Sequence, residues 1–438
     1  MDDRKRPSAR SCMFTVWQVV FATVGAGFPA FDTASMTARR LTATRATMSS
    51  SSSPRGAKRT ARRIMRLARF VALEVVGVRD GQLTANSLTI LLALPKLRVL
   101  SLERVRVHID FDFAKLLQLD ELRLSSCTSM EFEHVAALKN LRALTMHNCA
   151  RIEPGSCGFP LLDAISVAGS LAGLTRLEIT SKCPCYRLKL IHGGCTSIRH
   201  LLRDLPELKD LTLDALPSHH DCNIVQRALE SLTGLTRVKL ANAAHQYMDA
   251  SLFANLTSLR DLDLGKSVTT GWTRRNPFAR LGGLTRLCAA CTGITPDDIA
   301  ALAPLTALRE LDLSGNDLGR RGIDELALAC PTALTSLDVS ECKLHGRASL
   351  ALAALPRLER LAIGGNYLHI GKRGFSNLSA IASLRHLDLS GSSLGKNHDA
   401  LARSLSALAR LTCLDLRGCY PPPSSPPRMP LSCSVVMM

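Results

Sequence analysis

"LRELDLSGNDLG", residues 308–319, carries Leu308, Leu311 and Leu313 in the spacing L-x-x-L-x-L. Near copies start at Leu259 (LRDLDLGKS), Leu334 (LTSLDVSEC), Leu358 (LERLAIGGN) and Leu384 (LRHLDLSGS). The same frame fits from Leu97, Leu119, Leu141, Leu174, Leu208, Leu235, Leu284 and Leu411, and a degenerate copy, FVALEVVGV, begins at Phe70. From Leu97 onward successive starts lie 22 to 27 residues apart, except for steps of 33 and 34 residues on either side of Leu174. A period in the twenties with this head is the mark of stacked units.

The three leucines cannot share one helix face, whereas Leu311 and Leu313 fall on one face of a strand. After Asn316, DLGRRGIDELALAC places Ile323, Leu326 and Leu328 or Ala329 at helical spacing. Each unit is therefore expected to be a short strand, a tight turn and a helix that returns on the outer side. Such a path crosses over right-handed and leaves the strands parallel. Strands stack at about 4.8 Å and helices at about 10 Å, so the stack is expected to bend into an arc with its strands inside.

From about Phe70 to Tyr420 the chain resembles the leucine-rich repeat family. LALACPTALTSLDVSEC (326–342) is similar to the cysteine-containing subclass, and LDLSGNDLGRRGIDELA to the ribonuclease-inhibitor-like subclass. The resemblance implies an α/β solenoid, a curved horseshoe with parallel strands on the concave face and helices on the convex face. It also implies a binding role, and since the sequence has no H-E-x-x-H and no Walker-type G-x-x-x-x-G-K, no catalytic residue and no cofactor is expected. The expected organisation is a basic head without fixed structure over 1–69, a repeat domain of about fourteen units over 70–419, and a proline-rich loose tail over 420–438. The long units from Leu141 and Leu174, and Leu216 where an asparagine or cysteine would be usual, depart from the pattern.

A net charge of +18 suggests nucleic acid until it is located. Residues 1–69 hold fourteen Lys and Arg against Asp2, Asp3 and Asp32, a balance of +11, so the other 369 residues share only +7. No nucleic acid partner is expected from the repeats. Within the head, CMFTVWQVVFATVGAGFPAF (12–31) has the layout of a secretory signal or anchor, the basic stretch after it that of a transit segment, and Met36 or Met48 offers a later start. A membrane enters only if 12–31 acts as such a signal. GAGFPA (25–30) fits a dinucleotide motif in letters but lacks the helix that motif needs.

Fifteen cysteines would suit a disulfide framework, yet Cys127, Cys149, Cys342 and Cys419 each fall eight residues after the first leucine of their unit, the slot that Asn316 and Asn366 also hold. A side chain there must satisfy backbone groups of the turn, which asparagine does strongly and a thiol weakly. Buried, reduced thiols and a cytoplasmic location are expected, with a secreted, membrane-anchored or organellar chain as the alternatives that the head offers. Cys183, Cys185, His192 and Cys195 do not make a well-attested zinc spacing, and Cys288 with Cys291 is a lone C-x-x-C. No metal site is assigned.

The middle exposed position of successive strands reads Glu74, Ser101, Arg123, Thr145, Glu178, Thr212, Lys239, Asp263, Cys288, Asp312, Asp338, Ala362, Asp388 and Asp415. Asp261 and Glu310 lie beside this row. Together Asp261, Asp263, Glu310, Asp312, Asp338, Asp388 and Asp415 form a candidate acidic surface for a basic protein partner. The competing reading is that LDLS is the usual spelling of this strand. A non-catalytic scaffold is the leading expectation, with a substrate-recruiting adaptor of a ubiquitin ligase or a surface recognition protein as alternatives.

Overall fold

The computed structural model describes residues 20–21 and most of 73–437, the longer omissions being 128–134, 148–170, 181–204, 215–228, 242–247, 368–376, 394–404 and 421–432. Among the described residues, sixteen strands form one open parallel sheet. In order these are β1 Val20–Phe21, β2 Val75–Leu83, β3 Val99–Val107, β4 Glu121–Ser125, β5 Ala143–His147, β6 Arg176–Thr180, β7 Asp210–Asp214 and β8 Arg237–Ala241. The sheet continues through β10 Asp261–Asp263, β12 Arg286–Cys288, β13 Glu310–Asp312, β14 Ser336–Asp338, β15 Arg360–Ala362, β16 His386–Asp388, β17 Cys413–Asp415 and β18 Ser434–Val436. The short β9 Met248–Asp249 and β11 Thr269–Thr270 pair separately. Parallel neighbours in chain order, with no closure, are a curved leucine-rich repeat solenoid.

Each layer is locked to the next by the same backbone device. The carbonyl of Thr285, just before β12, accepts from the N–H groups of Arg309 and Glu310 in the next layer, at 2.8 and 3.1 Å. Thr335 and Glu359 do the same for their successors. Leu308, Leu311 and Leu313 are buried, and Leu311 sits between Leu287 and Leu337 in register. A buried leucine thus meets its equivalents above and below, so each layer's apolar surface is covered only by its neighbours. Large rings fill the irregular places: Trp272 packs edge-on against Phe278 at 4.7 Å and donates its N–H to the Thr269 hydroxyl.

The outer side is less uniform than one helix per unit. Among the described residues, α-helices occur at α1 Ala85–Leu92, α2 Gly319–Ala329 and α3 Ala348–Leu352, while Phe113–Lys115, Ala250–Asn255 and Pro296–Leu302 return as tighter 3-10 turns. Pro296 opens the last of these, with Thr295 and Asp298 forming a reciprocal cap, and a short segment of that kind fits a 24-residue unit.

Two expectations are corrected. The first unit is framed on Leu73, Val76 and Val78 rather than on Phe70, because Val76 pairs with Leu100 and Val78 with Leu102. FVALEVVGV contains both apolar frames, and only the second buries Val76 and Val78 while keeping a 24-residue step to Leu97. Gly77, not Glu74, therefore opens the concave row. The tail is not loose to its end either: β18 lies beside β17, with Leu414 opposite Val435. Val435 and Val436, β-branched and free of charge, suit an edge strand whose other face covers the last leucine layer.

Candidate functional site: the concave wall

Apart from Gly77, the middle row stands in register as the spacing predicts, from Ser101 on β3 to Asp415 on β17. The candidate carboxylates therefore share one surface, but their surroundings divide them into two sets.

The first set belongs to an ion-pair ladder. At the position that begins each strand, Asp210, Arg237, Asp261, Arg286 and Glu310 alternate in sign across five adjacent strands. Arg237 reaches Asp210 at 3.5 Å and Asp261 at 3.1 Å, and Arg286 reaches Asp261 at 3.1 Å and Glu310 at 3.5 Å. In the next row Lys239 contacts Asp263 at 3.2 Å. The field of Asp261 holds the Arg286 guanidinium above its ordinary range against the opposing effect of burial. Asp210 is pushed up by burial, a shift that Arg237 and Arg176 oppose. This part of the wall neutralises itself.

The second set is Asp312, Asp338, Asp388 and Asp415. Each accepts the backbone N–H two residues on, from Ser314, Ser340, Ser390 and Arg417, at 2.8 to 3.0 Å. Asp263 does the same with Gly265. The aspartate closes the turn that leaves the strand, which is the physical content of the LDLS spelling. Asp415 also grips Arg417 through both carboxylate oxygens and is pulled below its ordinary range, chiefly by that contact. Among the described residues, the hydrogen-bond partners of Asp312, Asp338 and Asp388 are neutral, namely backbone N–H groups, the Ser314 hydroxyl at 2.7 Å and the Cys288 thiol at 3.4 Å, although Arg417 also feels the field of Asp388. Burial pushes Asp338 up, and the charges of Asp312 and Asp388 add to that.

Beneath the row lies the slot eight residues after the first leucine. Asn316 accepts from the N–H groups of Thr292, Gly293 and Ile294 and donates to the carbonyls of Ala289 and Leu313. Asn366 serves Cys342, Leu344, Val339 and Ile363 in the same way. Cys127, Cys342 and Cys419 donate to the carbonyls of Leu102, Leu313 and Leu389 in the preceding layer. Ser267 and Ser392 make the equivalent bond, to Leu240 and Ile363, and buried Thr292 turns to Ala289 of its own layer. These hydroxyl occupants were missed in the sequence, although they obey the same count of eight. Burial pushes the Cys342 thiol, and the half-buried Cys288 thiol, up to about 12.

The remaining sequence candidates fall elsewhere. Cys149, Cys183, Cys185, His192, Cys195 and Leu216 lie outside the described residues. Cys291 is exposed, and Cys288 and Cys291 are both free thiols. A groove of about 620 Å³ runs along the strand-start edge past Arg98, Asp120, Lys139, Arg142, Thr175 and Glu207, away from the aspartates and of mixed charge. No helix among the described residues is long and apolar enough to cross a membrane.

A family model described as a leucine-rich repeat region matches residues 56–388. No curated protein matches the chain. Among solved structures the chain is similar to an internalin of Listeria monocytogenes, at 16% identity over 82% of this chain and 88% of that one, with a TM-score of 0.48. It is also similar to TLR13 in its complex with ssRNA13, at 19% identity over 79% of this chain and 56% of that one, with a TM-score of 0.47. For mouse RP105 in complex with MD-1 the figures are 16%, 79%, 70% and 0.43.

Proposed function

We infer what the chain does from one premise: it belongs to the leucine-rich repeat family, whose model spans residues 56–388. We propose that it is a non-catalytic, cytoplasmic protein-interaction module that holds a partner protein on its concave wall. The partner presents basic side chains to Asp312, Asp338 and Asp388. One observation carries this reading. Asp261, Asp263 and Glu310 are in contact with cations of neighbouring strands, whereas among the described residues the hydrogen-bond partners of Asp312, Asp338 and Asp388 are neutral. Carboxylates that touch no cation among the described residues, fixed in orientation by their own turns, are ready to receive a cationic surface without further ordering.

An open sheet face supports binding rather than catalysis, since it offers an extended surface and no enclosure. Cys288 and Cys342, with thiols pushed up to about 12, remain protonated at neutral pH and are poor nucleophiles. Cys127, Cys342 and Cys419 act as hydrogen-bond donors to backbone, a role that needs free thiols and supports a reducing compartment.

The test is paired affinity capture from native lysate with the full chain and with Asp312→Asn/Asp338→Asn/Asp388→Asn. Asparagine keeps an oxygen for the turn N–H, so the fold persists while the charge goes. Specific partners that depend on the aspartates should disappear from the variant. Undiminished capture of every partner would remove the aspartate row from the function.

A further inference from the structure

The chain has only four tyrosines, and two of them, Tyr367 and Tyr420, stand 60% and 75% exposed at the same step of their layers, immediately after the buried slot residues Asn366 and Cys419. At that step other layers carry Asp317, Lys343 and Ser393, so the backbone does not require a ring there. Each of these tyrosines makes one isolated parallel bridge to the layer before it: His345 bridges to Tyr367, and Ser393 bridges to Tyr420. The His345 and Tyr367 rings stack at 6.3 Å with 22° between their planes, which fixes the tyrosine face.

Among the described residues, the two cations on the turns beside this rim are each held by an acid. Lys343 is taken by Asp317 at 2.7 Å and Arg417 by Asp415 at 2.6 Å. Asp338 and Asp388 bring their carboxylates up to the turns that lead from the strands to the rim, and exposed Glu341 sits on one of those turns. Aromatic faces on the same layers as carboxylates that touch no cation among the described residues suit a planar cation, because a guanidinium can pair with a carboxylate and stack on a ring. An ammonium does the first as a point charge and lacks the flat face for the second.

We propose that His345, Tyr367 and Tyr420 form an arginine-reading rim, over which a basic segment held by Asp338 and Asp388 lays its guanidinium groups. The partner is therefore an arginine-rich protein segment rather than a generally basic one. The inference rests on the proposed role of the aspartate row and adds a choice between two cations.

The test titrates fluorescently labelled nona-arginine and nona-lysine peptides into the purified full chain at about 0.15 M salt, read by polarisation. Nona-arginine should bind about tenfold more tightly than nona-lysine. Tyr367→Ala/Tyr420→Ala should abolish that preference, weakening nona-arginine far more than nona-lysine; both side chains are on the surface, so folding is not at stake. The aspartate triple variant should weaken both peptides. Equal affinities for the two peptides in the unmodified chain, or an arginine preference that survives loss of both tyrosines, would overturn the rim while leaving the aspartate row standing. An arginine preference lost with the tyrosines, but with affinities untouched by the aspartate changes, would keep the rim and overturn the row. Failure of both peptides to bind would overturn both.

Discussion

The wall from Asp210 to Glu310 and the wall from Asp312 to Asp415 rest on one backbone repeat and hold similar numbers of carboxylates, yet they differ in what faces each charge. In the first, arginines on alternate strands answer the acids on either side. In the second, the turn N–H groups answer them, and among the described residues Asp415 alone holds a cation in an ion pair. A ladder of that kind spends its charge on the fold, and a row of turn-capping carboxylates leaves much of it for a partner. Acidity counted along the sequence does not distinguish them.

Severing the two walls should give the largest effect. Asn316 lies where they meet, and Asn316→Ala would leave the N–H groups of Thr292, Gly293 and Ile294 without their acceptor. At roughly 1 to 3 kcal/mol for each unsatisfied buried group, less what water recovers, the cost should be about 3 to 5 kcal/mol. Denaturant unfolding would measure it. Amide exchange should show protection falling first in β12 and β13, because each layer is supported only by its neighbours. A uniform loss along the whole sheet would mean that the two walls do not melt separately.

The ladder itself comes next. Arg286→Leu removes the cation between Asp261 and Glu310, while Arg237 still holds Asp261. With the guanidinium 46% exposed, the expected loss is only about 1 kcal/mol, shrinking further near 1 M salt. Arg360→Leu in the second wall is the matched control. Arg360 faces His386, whose pKa is lowered by burial first and then by Arg360 and Arg385. Its removal should leave stability unchanged or slightly raised. Equal losses from the two substitutions would erase the distinction between the walls.

The register was legible because the period is short and the leucines mark it. Once Leu311 is aligned with Leu337, every side chain between them is placed. The first unit was misframed because Phe70, Leu73, Val75, Val76 and Val78 satisfy two frames at once, and only pairing with Leu100 and Leu102 decides between them. The aspartates were legible as a row but not as two sets. Asp263 and Asp312 look alike in LDLG and LDLS contexts, and what separates them is Lys239, a cation one strand away from Asp263 and 24 residues distant in sequence. The alternation Asp210, Arg237, Asp261, Arg286, Glu310 is visible in the sequence at the position before each strand's first leucine or valine, and it becomes meaningful only when those positions are known to touch. Ser267 and Ser392 were overlooked because small hydroxyl residues are common in turns, and nothing but the count of eight sets these two apart.

Asp338→Asn should move stability the other way. The folded carboxyl holds its proton more tightly than the unfolded one, because burial and the charges of Asp312 and Asp388 disfavour ionisation. The native state therefore loses stability as pH rises through that raised pKa, and the penalty is absent below the usual carboxylate value of 3.8. Asparagine should give a small gain at neutral pH that fades on acidification, measured as the difference in melting temperature across a pH series. The same charge removal should weaken a cationic partner, so that stability and affinity move in opposite directions. In the ladder, where Arg286 both stabilises and neutralises, no such opposition is expected.

The smallest effect lies in the turn that both walls share. The seventh residue after the first leucine is left-handed in layer after layer, with φ of 53° at Cys291, 69° at Gly315, 54° at Glu341 and 63° at Gly365. Glycine takes that conformation freely, whereas a side chain there carries strain of about 1 kcal/mol. Part of the gain from glycine is returned as greater freedom of the unfolded chain, so Glu341→Gly should stabilise by roughly 0.5 kcal/mol. The N–H of residue 341 would still donate to Gly364, so the turn keeps its bond. The reverse change, Gly315→Ala, should cost more than this gain, since its Cβ would come within 2.4 Å of the Cys291 sulfur. Glu341 also adds negative charge beside Tyr367, and its strained turn is tolerated where Gly315, Gly365, Gly391 and Gly418 show that glycine would serve. If Glu341→Gly raises the melting temperature and also weakens nona-arginine binding, the strain at this position is maintained for the partner. If it raises the melting temperature alone, Glu341 is an ordinary imperfection of the repeat, and the arginine-reading surface is confined to the rings and the two aspartates.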